Sequence, residues 1–212
     1  MNDITVAMAI VDFIPVALFF AAALILQRDL YNKMVKGAFA LLATGSIMVL
    51  VGGIYKALWK ILFALKIADV PALSGAFFPL QGPGFLLVFF AFIGMFSKYN
   101  KKTATLNGVA IVPVFSSNLP FVGLQTLGCA GMQWCLFVIA KKMKKPLAMA
   151  MFVIAFVTML GMGYLSAKFD DSSSMHWMAQ TVNIVSTGAL LCGVLIIHSA
   201  GLEKTDALKA EN

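Results

Sequence analysis

Apolar residues run through this chain in long blocks, broken by short polar interruptions that recur along almost its whole length. A helix rising about 1.5 Å per residue crosses a hydrocarbon core of about 30 Å with about 20 apolar residues. On that ruler the pattern predicts an all-α integral membrane protein with seven spans, at 4–26, 35–55, 83–97, 104–117, 121–140, 146–167 and 176–199. The fourth is short, contains Pro113 and ends in Ser116-Ser117-Asn118-Leu119-Pro120. It reads as a full span or as one arm of a re-entrant hairpin spanning 104–140, two readings with the same topology.

Segment 35–68 is too long for one crossing, about 50 Å as a single helix. Gly52-Gly53 offers a bend, and Tyr55-Lys56-Ala57-Leu58-Trp59-Lys60 mixes the residues that anchor in a headgroup layer. The second helix is therefore predicted to leave the core near Gly53 and continue along or above the outer surface. Pro79, Gly82, Pro83 and Gly84 around Gln81 mark the start of the third span, where a missing N–H costs little.

Composition agrees with this pattern. Of 212 residues, 61% are hydrophobic and 12% charged, against about 25% charged in soluble domains. One soluble core of this size cannot hide that much apolar surface, whereas lipid covers it. The formal net charge of +7 does not point to nucleic acid, because the basic residues sit in short clusters between apolar blocks. Arg28, Lys33 and Lys36 fill one loop, Lys98, Lys101 and Lys102 another, and Lys141, Lys142, Lys144 and Lys145 a third. Lys204 and Lys209 lie in the tail. Every second loop is basic, which predicts those loops as cytoplasmic, the N-terminus outside and the C-terminus inside the cell (plasma or inner) membrane. Met1-Asn2-Asp3 lacks the positive start of a cleaved signal peptide, so the first block is read as a retained span. Residues 1–200 are expected to form one bundle and 201–212 a polar cytoplasmic tail.

Small residues recur at helical spacing: Ala38, Gly45 and Gly52; Ala17 and Ala21; Gly188 and Cys192; Ala189 and Gly193. In lipid such stripes let helix backbones approach closely. Cys129, Cys135 and Cys192 all fall inside apolar blocks and are expected to be buried small hydrophobes. Met149, Met151, Met159 and Met162 on one span fit either an adaptable pocket lining or plain filler.

Polar groups at membrane depth are costly and turn toward the bundle interior. Asp12 reads as the acid set within a span, and Pro15 three residues later frees a carbonyl beside it. His176, Gln180, Asn183 and Thr187 follow one another at spacings of four, three and four, which is one face of the last helix. Gln125 belongs to the outer half of the fifth span, Gln133 lies deeper, and Lys56 and Lys60 lie near the outer boundary. The candidate ligand-binding set is Asp12, Lys56, Gln125, His176, Gln180 and Asn183. The bland alternative is interhelical hydrogen bonding that holds the spans together.

The two histidines stand near opposite ends of the last span and no catalytic motif appears, so no metal or cofactor is expected. Seven spans in this orientation are similar to rhodopsins in count, but the last span has no lysine for a retinal Schiff base. The count also resembles the three-plus-one-plus-three plan of sugar transporters, without a matching motif pair in the two halves. Size and the small-residue first span resemble the substrate-binding subunits of vitamin uptake systems, which typically have six spans. The resulting expectation is a transporter or receptor that binds a small molecule in an outward polar pocket. An intramembrane enzyme acting on a lipid ranks below it, because such chemistry usually pairs acids or uses a metal. A structural subunit docking a partner membrane protein or a second copy of itself is the remaining alternative.

Overall fold

A computed structural model describes residues 5–99, 119–167 and 173–204. The described residues form eight helices: α1 (Val6–Val11), α2 (Phe13–Leu30), α3 (Lys36–Ala64), α4 (Pro71–Gly75), α5 (Phe77–Tyr99), α6 (Leu119–Lys142), α7 (Pro146–Ala167) and α8 (Ser173–Ser199). Five stretches are long and apolar enough to cross a membrane, and α7 adds a shorter apolar run, Pro146–Met162. The chain is thus an all-helical protein whose apolar helices fit a multi-pass membrane fold. Large side chains such as Ile10, Phe20, Ile47, Trp134 and Val157 stand exposed on the outside of the bundle, where lipid would cover them. The predicted fourth span, 104–117, and the tail beyond residue 204 lie outside the described residues.

The first span is interrupted at Asp12, which separates α1 from α2. Pro15 has no N–H to return to Val11, so the ladder is already weakened where the break occurs. The second span departs from expectation. α3 runs unbroken for 29 residues through Gly52 and Gly53, and Ala57 and Lys60 are still buried. The helix does not break there, and the glycines serve packing: a Cβ on Gly52 would lie 3.0 Å from Gln81, and one on Gly53 would lie 3.0 Å from Val16. The helix therefore stays in the bundle past Gly53 instead of leaving it. The third span also starts earlier than predicted, at Phe77, with Pro83 inside the helix. The partner that Pro83 lacks is the carbonyl of Pro79, still in the first turns, so the loss is local.

The Ala38–Gly45–Gly52 stripe is the α3–α5 seam. A Cβ on Gly45 would stand 2.5 Å from the Gly84 carbonyl oxygen. Ala189 and Gly193 are buried on α8, Gly193 against Phe152 of α7. The other two predicted stripes pack loosely: Ala17 and Cys192 are exposed. Cys192 is therefore not a buried hydrophobe, while Cys129 and Cys135 are. At the end of α8, Gly201 takes φ +81 and lets the Leu202 N–H return to the Ile197 carbonyl. Leu202 is thereby tucked into the core.

Six long helices close a ring. α2 packs on α3, α3 on α5, α5 on α6, α6 on α7, α7 on α8, and α8 back on α2. Paired positions give the directions. Lys60 meets Asp12 and Gly53 faces Val16, so α2 and α3 are antiparallel. Gly82 faces Phe121, Gly128 faces Phe85 and Gly131 faces Phe89, so α5 and α6 run parallel. Gln180 meets Asp12 and His198 meets Asp29, so α2 and α8 are parallel too. In neighbour order and direction, α2, α3 and α5 map onto α6, α7 and α8.

Candidate functional site

Inside the ring lies a cavity of about 180 Å³ to which all six helices contribute. Its polar end is built around Asp12. One carboxylate oxygen, Oδ2, pairs with Lys60 Nζ at 2.5 Å, and the other, Oδ1, accepts from Gln180 Nε2 at 2.7 Å. The same Gln180 amide also donates to the Met8 carbonyl at 2.7 Å. Three elements are thereby joined at the break in the first span: α1–α2, α3 and α8. The partner of Asp12 is Lys60; Lys56, one turn earlier on α3, makes no ion pair among the described residues and lies over the Phe77 ring at 4.2 Å. A carboxylate largely removed from water is tolerable only if paired and hydrogen-bonded, and here both oxygens are engaged.

A second polar contact crosses the opposite seam of the ring. Gln125 Nε2 on α6 donates to Gln81 Oε1 on α5 at 3.1 Å, and Gln81 Nε2 donates to the Val49 carbonyl at 3.3 Å. The two parallel seams, α2–α8 and α5–α6, are thus each bridged by a glutamine. Gln133 continues the α6 face about 12 Å deeper, a rise set by its eight-residue separation from Gln125.

Of the six predicted residues, Asp12, Lys56, Gln125, Gln180 and Asn183 all line this one cavity. His176 is buried but stands one turn of α8 outside the lining. Sequence reasoning left Gln81 out of the set, although Pro and Gly on both sides signal a close approach there. Lys60 was placed at the outer boundary and is in fact 5% exposed, inside the bundle. Met159 and Met162 line the cavity with Phe19, Phe77, Phe78 and Phe85, so its walls are apolar between the polar groups.

Asp29, between the first two predicted spans, is only 1% exposed; its carboxylate holds His198 Nδ1 at 2.8 and 3.0 Å. Among the described residues no group of His, Cys, Asp and Glu is placed to hold a metal. No protein-family model, curated protein or solved structure matches this chain.

Proposed function

We propose that this protein is a small-molecule carrier of the cell membrane, with seven crossings, an outside N-terminus and its ligand held in the outer half of the bundle. The observation that carries the reading is the cavity on the axis between two parallel helix triplets, with its polar groups supplied by both. Ligand sites of helical carriers lie at such interfaces between repeated units, because motion of one unit against the other opens the site to either side. The seventh crossing is supported by α5 and α6. As parallel neighbours they place Tyr99 and Leu119 at opposite ends of the bundle, which supports a further crossing between them. Residues 1–200 then act as one bundle with a short cytoplasmic tail.

Asp12, Lys56, Gln125, Gln180 and Asn183 are the proposed lining contacts, with Gln81 added. A screen of small metabolite-like compounds by thermal shift on the detergent-purified chain tests the reading. A stabilising compound should also be taken up by proteoliposomes, and Asn183→Leu should abolish both effects. Binding without uptake would make the protein a receptor instead.

A further inference from the structure

The charges and unpaired dipoles of the cavity specify a class of ligand, given the carrier reading above. Three side chains that carry charge line it, Asp12, Lys56 and Lys60. Asp12 and Lys60 pair with each other, which leaves the Lys56 ammonium without an ion-pair partner among the described residues. Its contacts are the faces of Phe77 and Phe78, at 4.2 and 5.9 Å from the ring centroids. Aromatic faces hold an ammonium in place but do not neutralise it. A cation part-way into an apolar wall therefore presents an open position for an anion, and water-poor surroundings strengthen that attraction.

The amides add a second requirement. Gln125, Gln133 and Gln180 line the cavity, and their side-chain oxygens are buried and accept no hydrogen bond from the described residues. Gln180 and Gln133 are 3% and 4% exposed. Such acceptors are rarely left unmet in a folded protein, because each unmade bond costs about 1–3 kcal/mol of desolvation. A ligand meets them only by bringing N–H or O–H groups of its own.

The geometry points to a compact organic acid as the ligand, with its anionic group on Lys56, its apolar body along Phe77 and Phe85, and an N–H or O–H donor reaching Gln133. A cation is disfavoured by Lys56. A purely apolar molecule would leave the amide oxygens dry and unpaired.

Calorimetric titration of the detergent-purified full chain with four ring compounds of matched size tests this. Benzoate, benzamide and benzylammonium differ mainly in charge, and para-aminobenzoate adds a donor to the first. Benzoate is expected to bind about tenfold more tightly than benzamide, the scale of one charge-assisted contact, and benzylammonium more weakly than both. Lys56→Gln should bring benzoate affinity down to that of benzamide, and Lys56→Arg should keep the benzoate preference. Para-aminobenzoate should bind more tightly than benzoate, and Gln133→Leu should erase that gain alone. Benzamide or benzylammonium binding as well as benzoate would overturn the anion assignment while leaving the cavity a ligand site. So would a benzoate preference that survives in Lys56→Gln. Failure of all four compounds to bind would overturn both the assignment and the carrier reading beneath it.

Discussion

His198, near the end of α8, sits against both carboxylate oxygens of Asp29 on α2, while Gln180 holds Asp12 near the other end of the same two helices. The α2–α8 seam is therefore clasped twice. Asp29→Ala should destabilise the protein by about 1.5–3 kcal/mol, the range for a hydrogen bond to a charged group. His198→Ala should cost at least as much, because it leaves a carboxylate buried alone. Asp29→Asn keeps an acceptor and should cost less. Thermal melting in one detergent compares the three.

The Asp12–Lys60 pair changes what Asp12→Asn should do. Read from the sequence alone, that variant removes a charge and leaves folding intact. In the structure it strands a buried lysine, so a loss of about 3–5 kcal/mol is expected. Lys60→Gln should lose a similar amount, and the double variant should lose less than the two together, with a coupling of about 0.5–3 kcal/mol. Additive losses in denaturant unfolding would mean that the two residues do not interact.

Gly45 tests the α3–α5 seam. Its missing Cβ leaves the room in which the Gly84 carbonyl sits, 2.5 Å from where that atom would be. Gly45→Ala should already cost about 1–3 kcal/mol by forcing the helices apart, and Gly45→Leu more. Gly123→Ala on α6 meets nothing within 4 Å and should be neutral or stabilise by up to about 1 kcal/mol. Melting temperatures of the three variants order the effect.

Orientation is open to direct labelling. Ile67, which follows α3, is exposed, and Lys145 before α7 is exposed at the other end of the bundle. Ile67→Cys should react with an impermeant thiol reagent added to intact cells, and Lys145→Cys should react only after the membrane is opened. The reverse result would invert the topology. The parent gives the background signal, with Cys129 and Cys135 buried.

What the sequence made legible follows from physics that acts locally. Apolar runs specify helices because lipid admits little else, and the four-three-four spacing of His176, Gln180, Asn183 and Thr187 specifies a face. Pairings between distant helices leave no such trace. Gln125 and Gln81 are 44 residues apart, and Asp29 and His198 are 169 apart. Asp29 in particular falls between the first two predicted spans, after Arg28 and before a basic cluster; only the arrival of α8 buries it. Gly52 and Gly53 misled for the same reason. A glycine pair permits either a bend or a close neighbour, and the neighbours, Gln81 and Val16, lie outside any local window.

The shared direction of α2–α3–α5 and α6–α7–α8 carries a consequence for how such a chain arises. Three is an odd number, so a three-helix unit copied directly behind itself would enter the bilayer upside down. Two copies that point the same way need one more passage of the chain between them. Without that passage the same ring is what two separate three-helix chains, inserted in the same sense, would assemble as a parallel dimer. Two halves of this protein, divided between Tyr99 and Leu119 and produced together, would then have every described seam needed to rebuild the ring.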